Sequence, residues 1–188
     1  MTLPPPPARS ADDPAGTDDP ERLPAALAAW MRAGRARDGA ATAAVLAPDV
    51  VMVSPLTDSF RFEGRAEVVE ILTEALGALE EIEYERVEQT STGALLTARA
   101  RLGGIDLHEA QLLDLDEHGD IAGITIFLRP LPAATRLLEA LGPRIARRQG
   151  RRGVAALLTV AGGFLHRVAA SGDRRFLPLV APPCVRRR

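Results

Sequence analysis

Four strand-like segments rich in aliphatic and β-branched residues follow one another with only tight turns between them. The turns read Ser-Thr-Gly, Gly-Gly and Glu-His-Gly-Asp, and a Gly-Gly pair is a common two-residue hairpin loop. Connections this short join antiparallel neighbours, so the sequence predicts an antiparallel meander. The predicted strands are 81–90, 94–102, 105–116 and 121–129.

Helical periodicity occurs on both sides of the meander. In the first helical segment Leu23, Leu27 and Trp30 recur on one face, as in the core-facing stripe of an amphipathic helix. The β-branched segment 49–56 predicts a further strand, and 57–64 predicts a turn with a short strand. The predicted helices are 21–37, 39–46, 65–79, 131–149 with a break or kink near Gly142-Pro143, and 152–170.

This order of elements predicts an α+β fold and not a repeating βαβ unit. A curved antiparallel sheet with its helices gathered on one face would enclose a cone-shaped space, packed below and open at its mouth. A chain of 188 residues with 46% hydrophobic residues can form one domain of ordinary size. We expect a disordered leader at 1–20, the domain at 21–149, and a basic C-terminal extension at 150–188 with a frayed end after residue 170.

The charges are divided unevenly along the chain. Residues 1–143 contain 24 acidic residues and 12 Arg, whereas residues 144–188 contain 11 Arg and one acid. Such a basic segment favours contact with nucleic acid, an anionic membrane or an acidic partner, although it could equally pack on the chain's own acidic domain. The uncharged run 153–165 is shorter than the roughly 18–20 residues that span a bilayer. Without a signal-peptide pattern, the sequence predicts a cytoplasmic protein.

The sequence does not indicate a metal site or a cofactor. The single cysteine, Cys184, excludes an internal disulfide and a thiolate metal cluster. His108 and His118 are ten residues apart, with no third imidazole between them or close to them in the sequence, which is a poor ligand set. The sequence also lacks a glycine-rich phosphate loop and a nucleophile elbow. We therefore expect no cofactor.

Several motifs occur together in a characteristic order between residues 22 and 147. They are the Trp-bearing first helix, the strand DVVMVSP, the segment FEGRAEV, and the strand pair ending LLDLDEHGDIAGITIFLRPL. In this order and spacing the chain resembles the nuclear transport factor 2-like (NTF2-like) superfamily, in particular its SnoaL-like bacterial members. The resemblance implies a cystatin-like α+β barrel with an interior pocket, often dimeric through the outer sheet face.

That superfamily includes ketosteroid isomerases, polyketide cyclases, epoxide hydrolases, dehydratases and non-enzymatic binding modules, so the resemblance does not select a function. Ketosteroid isomerase-like members carry a catalytic Asp near the end of the first strand and a Tyr in the first helix. Here Asp58 and Ser54 occupy that general region, at the expected rim of the cone, but the first helix offers Trp30 and no Tyr. Asp58 is also a common turn residue, and a catalytic role for it is the weaker hypothesis.

Alternation along the predicted strand 105–116 separates a leucine-rich face from an acidic one. The leucine-rich face, which we expect to line the cone, also carries Glu109 and Gln111. An apolar cavity disfavours the charged form of a carboxylate, which raises its pKa and allows proton transfer near neutral pH. Glu109 is therefore the leading candidate for a general acid/base, and the alternative is a structural ion pair with Arg99. The other residues expected to line the cavity are Trp30, which could instead fill the core, Tyr84, Arg99 and Phe127.

Two functions remain open at this point. The chain could bind a small hydrophobic molecule in the cone and perform isomerase, cyclase or lyase chemistry through Glu109. Alternatively, it could be a non-catalytic or regulatory module that forms a homodimer through its sheet and uses the basic tail for a partner. An open pocket with an unpaired Glu109 favours the first function, and a cone filled by Leu, Phe and Trp favours the second.

Overall fold

The computed structural model of the protein describes residues 23–180, so the predictions for the leader at 1–20 and for Cys184 lie outside the described residues. A six-stranded sheet and four α-helices make up the fold of the described part. The strands are β1 (Leu46–Val53), β2 (Phe62–Glu63), β3 (Glu81–Gln89), β4 (Gly93–Leu102), β5 (Ile105–Leu115) and β6 (Ile121–Arg129). The helices are α1 (Ala25–Ala36), α2 (Arg65–Ala78), α3 (Leu131–Arg148) and α4 (Arg152–Arg175), with short 3-10 turns at Ala40–Ala44 and Leu177–Val180.

The strands are ordered β2–β1–β6–β5–β4–β3 across the sheet. Strands β3 to β6 form the predicted meander, each antiparallel to the next. β1 runs parallel to β6, which corrects the prediction of an antiparallel sheet at this one pairing. The two strands are separated in the chain by α2 and most of the meander, and so long a connection allows parallel neighbours. The α+β class is confirmed, with a mixed sheet.

Irregularities in strand pairing curve the sheet. The register shifts in β3 between Tyr84 and Arg86, and in β6 between Ile121 and Gly123, opposite Leu115 and Asp114 of β5. Such bulges bend a strand and increase its local twist. The two outermost strands, β2 and β3, do not pair with each other, so the sheet remains an open cone and does not close into a barrel.

A single hydrophobic core fills the narrow part of this cone. Helices α1 and α2 place their apolar stripes against the concave face, and α3 closes the remaining side. The inward residues of the strands alternate with outward ones, as the pleat requires. Fully buried members of the core include Leu27 of α1, Val68 of α2, Leu96 of β4, Leu113 of β5 and Ile121 of β6.

The last two helices differ from the prediction. α3 continues through Pro143 to Arg148, so the break expected near Gly142-Pro143 is wrong, and the alternative of a kink there stays a prediction. Close packing against α4 supports this region, since an added Cβ at Gly142 would lie 3.4 Å from a methyl carbon of Leu158. α4 extends to Arg175, beyond the predicted end at residue 170. The expected fraying after residue 170 is thus wrong for the last turn of α4.

One segment, Arg152–Val180, is long and apolar enough to cross a membrane by length and composition alone. Only 17% of its most apolar part is buried. The uncharged run 153–165, which is too short to span a bilayer, is part of this longer helix. Because a helix of a soluble protein can have the same length and composition, these two properties do not by themselves assign a membrane span.

Close backbone packing at Gly39 gives a test of the fold. A Cβ added there would lie 2.3 Å from Cα and 2.4 Å from the backbone N of Thr73 on α2. We expect Gly39→Ala to lower the free energy of unfolding by about 1–3 kcal/mol, measured by urea denaturation, because backbone atoms must shift.

Gly77→Ala is the matched control, since nothing lies within 4 Å of an added Cβ in α2. This substitution should stabilise the protein by roughly 0.5–1 kcal/mol through helix propensity. Equal stability of Gly39→Ala and the parent protein would contradict the described packing of the 3-10 turn on α2.

Candidate active site in the cone

A cavity of about 80 Å³ lies between the concave face of the sheet and helices α1, α2 and α3. Most of its wall is aliphatic. The side chains in the wall that can form hydrogen bonds are Trp30, Thr42, Ser54, Tyr84, Glu109 and Gln111. Any chemistry in the cavity therefore depends on a few polar groups in an apolar environment.

Strand β5 carries the central polar pair of the site. Its register places Glu109 opposite Ala98 of β4 and Leu128 of β6. Glu109 and Gln111 share the concave face with the buried Leu107 and Leu113. Because side chains alternate along a strand, a slip of one residue would turn both polar groups away from the cavity.

A chain of hydrogen bonds connects α1 to this strand. The Trp30 indole Nε1 donates to Gln111 Oε1 at 2.8 Å, and Gln111 Nε2 donates to Glu109 Oε1 at 2.5 Å. An indole can only donate, which fixes the orientation of the Gln111 amide. Among the described residues, no cation forms an ion pair with the Glu109 carboxylate, and its Oε2 has no protein hydrogen-bond donor. One oxygen is thus held, and the other is available to a ligand.

Burial raises the pKa of Glu109 from 4.5 to about 7, against the opposing effect of the hydrogen bond from Gln111. The carboxyl group is therefore divided between its two protonation states near neutral pH. A group with this property can both accept and return a proton.

Tyr84 brings a phenol into the same cavity from β3. Burial and then the negative charge of Glu109 raise its pKa, while contact with Gln111 and the guanidinium of Arg35, 5.5 Å from the ring centroid, oppose the shift. The phenol stays neutral and keeps its proton as a hydrogen-bond donor. Gly34 of α1 makes room for it, since a Cβ added there would overlap sterically with the Tyr84 hydroxyl.

Arg99 and Phe127 do not line the cavity, which corrects two of the predicted wall residues. Arg99 lies opposite His108 on the convex face, where its guanidinium pairs with Glu85. Phe127 is 57% exposed on the convex side of β6. Strand alternation explains both positions, because the neighbours on either side of each residue face inward. The alternative ion pair between Glu109 and Arg99 is therefore absent.

Inward residues of β6 were missed in the sequence. Ile126 and Leu128 form part of the cavity wall in the positions flanking Phe127. Alternation from the buried Ile124 identifies both of them as inward residues.

Ser54 and Asp58 occupy different environments beyond β1. Ser54 lines the cavity, and its Oγ accepts a hydrogen bond from the backbone N of Leu56 at 3.2 Å. Asp58 lies in the exposed loop that follows and is not part of the cavity wall. The weaker hypothesis of a catalytic Asp58 therefore has no support in the geometry. Within residues 23–180, no three His, Cys, Asp or Glu side chains come together as metal ligands would.

Comparisons with known proteins agree with this architecture. Residues 27–128 match the family model of the SnoaL-like domain. A steroid delta-isomerase from Pseudomonas aeruginosa is 27% identical, with a TM-score of 0.61 over 67% of this chain and 93% of that chain. An uncharacterized protein with a cystatin-like fold from Silicibacter pomeroyi is 23% identical, with a TM-score of 0.64 over 70% of this chain and 95% of the other.

A putative ketosteroid isomerase from Kribbella flavida is 24% identical, with a TM-score of 0.51 over 57% of this chain and 77% of that chain. No curated protein matches the sequence significantly. Both structures below 25% identity show similarity of fold alone.

The buried carboxyl group predicts a pH-dependent stability difference between the protein and its Glu109→Gln variant. The pKa of Glu109 in the folded protein lies above the 4.5 of an unperturbed glutamate, so its charged form is destabilised by folding. The variant should match the parent below pH 4.5 and become more stable than it as the pH rises through about 7. The difference at alkaline pH should approach roughly 3 kcal/mol, measured by urea denaturation across pH.

Glu83→Gln, at an exposed position on β3, controls for the loss of a surface carboxylate. If Glu109→Gln showed the same difference from the parent protein at every pH, the proposed environment of Glu109 would be wrong.

Proposed function

The chain belongs to the SnoaL-like domain family of the nuclear transport factor 2-like superfamily, and we propose that it binds a compact, mainly apolar molecule in the cone and transfers a proton on it through Glu109. The observation that carries this proposal is a largely buried carboxyl group, free of ion pairs among the described residues, that faces an apolar cavity. Its pKa of about 7 suits both removal and return of a proton.

Glu109 and Tyr84 provide complementary functions for chemistry next to a carbonyl group. The free oxygen of Glu109 would take a proton from the carbon adjacent to the carbonyl, leaving an enolate. The neutral phenol of Tyr84 lines the same cavity and could donate a hydrogen bond to the developing oxyanion. The Trp30–Gln111 pair would hold the carboxyl group in position during both steps.

Among isomerase, cyclase and lyase chemistry, isomerisation requires the fewest groups. Glu109 would remove a proton from the α carbon of a β,γ-unsaturated ketone and return the same proton to the γ carbon. The double bond moves into conjugation with the carbonyl, and no atom is gained or lost. The similarity to a steroid delta-isomerase supports this reaction class.

The cavity volume limits the substrate. Sites for drug-sized ligands have volumes of roughly 300–1,000 Å³, whereas this cavity measures about 80 Å³. We therefore propose a substrate near the size of a single ring and not a steroid. A larger ligand would require displacement of wall residues.

The second candidate is a non-catalytic module that forms a homodimer. The small cavity favours it, as does the exposed Phe127 on the convex face of the sheet. In that case Glu109 would be a structural residue, and its replacement would change stability without removing any catalytic activity.

An isomerisation assay tests the enzymatic proposal. The probe is 3-cyclohexen-1-one, whose conversion to the conjugated 2-cyclohexen-1-one is followed by ultraviolet absorbance. We expect the protein to accelerate the reaction over buffer, and Glu109→Gln to reduce kcat/KM by roughly 100-fold or more. Tyr84→Phe should reduce kcat by about tenfold or more, because it removes the oxyanion donor.

The pH profile adds a second readout. The value of kcat/KM should rise with pH and level off above about 7, as Glu109 becomes a base. Glu83→Gln is the control and should retain full activity. A rate that equals buffer for the parent protein, or one that Glu109→Gln retains, would reject Glu109 as the catalytic base for this reaction.

A further inference from the structure

The large apolar side chains of α4 point away from the rest of the protein. They recur at spacings of three and four residues and lie between 44% and 73% exposed. Large exposed apolar surfaces on a helix mark interaction sites, because such stripes are normally buried. We call Val154, Leu157, Val160, Phe164, Leu165 and Val168 the apolar stripe.

Contacts on the opposite face of α4 fix this orientation. The buried residues of α4 are Ala155, Gly162 and Gly163, all of which are small. A Cβ added at Gly162 would lie 3.1 Å from Cα of Glu139, so the two helices approach closely. α4 therefore packs on α3 through its small residues and presents its large ones outward. Along the helix the stripe spans about 21 Å.

Arginines flank the stripe at both ends. The six arginines named below form no ion pair with an acidic side chain among the described residues, whereas Arg144 and Arg148 pair with Glu70 and Glu74. The only acidic residue on α4 is Asp173. The flanking set consists of Arg147, Arg151 and Arg152 before the stripe, and Arg167, Arg174 and Arg175 within its last turns and after it.

This charge pattern discriminates between possible occupants of the stripe. A second copy of α4 would place basic ends together whether the helices ran parallel or antiparallel, and like charges repel. Nucleic acid phosphates would suit the arginines but would leave the apolar side chains without a partner. An anionic lipid surface accommodates both, since apolar side chains enter the acyl boundary and arginines contact the headgroups.

We propose that α4 docks on an anionic membrane surface, lying in the interface with the apolar stripe toward the acyl chains. A spanning arrangement is less suited to this helix. It would separate the close contact with α3 and bury Arg167 in hydrocarbon. The interfacial arrangement leaves the domain and the helix pair as they are.

Vesicle co-sedimentation of the full chain tests the proposal. Vesicles of phosphatidylcholine with about 30 mol% phosphatidylserine should bind the protein, and pure phosphatidylcholine should bind it far more weakly. The variant Leu157→Gln/Phe164→Gln should lose about tenfold or more in vesicle affinity, since two large side chains no longer enter the apolar boundary. Both positions are exposed, 65% and 66%, so the fold should persist, as checked by circular dichroism.

Phe127→Gln/Leu131→Gln is the matched control, because both side chains are exposed at 57% and 68% but lie outside α4. A second variant, Arg174→Gln/Arg175→Gln, should weaken binding to the anionic vesicles by about tenfold, and Arg32→Gln/Arg61→Gln should not. Absence of binding to anionic vesicles, or equal loss in the test and control variants, overturns the proposal. In another outcome, the parent protein forms a dimer and fails to bind vesicles. If Leu157→Gln/Phe164→Gln then loses that dimer in analytical ultracentrifugation, the stripe binds a second copy of the chain and not a membrane.

Discussion

The register of β5 between its two neighbours determines what the cone contains. At one end the hairpin to β4 turns through Gly103 and Gly104, whose φ angles of 58° and 75° few other residues adopt readily. At the other end the Asp116 carboxylate accepts hydrogen bonds from the backbone N–H groups of His118 and Asp120, each at 2.9 Å. With both ends held, the inward positions of the strand carry two leucines and the Glu109–Gln111 pair. A slip of one residue would turn this polar pair outward and bring into the cone the residues that now face outward.

Burial of Glu109 has a cost that the rest of the structure must offset. A shift of its pKa to about 7 corresponds to roughly 3 kcal/mol, a substantial part of the 5–15 kcal/mol by which most proteins are stable. Replacing the carboxyl group with an apolar side chain, or placing an arginine beside it, would remove this cost. The only polar support described for it is an amide that Trp30 holds in place. In the proposed reaction, that uncompensated environment is what makes the group a useful base.

Local patterns in the sequence were sufficient for the meander and for the orientation of its central residues. The predicted strands 105–116 and 121–129 correspond to β5 at 105–115 and β6 at 121–129. This agreement is close because turns and alternation are local signals. Contacts between segments far apart in the chain cannot be predicted from such local patterns. The parallel pairing of β1 with β6 joins segments far apart in the chain, and no local pattern indicates it. The position of Tyr84 depends on Gly34, which in the sequence is only a weak point in a helix.

Trp30 also makes the site observable without a label. It is the only tryptophan in the chain, it is 4% exposed, and its indole is hydrogen-bonded to the amide that contacts Glu109. The intrinsic fluorescence of the protein therefore comes from one indole in the cavity wall. The indole lies two hydrogen bonds from Glu109, so ionisation of Glu109 changes the electric field at the indole. A molecule bound in the cavity would lie against the same ring. One emission spectrum thus reports occupancy, protonation and unfolding from a single position, with no background from other tryptophans.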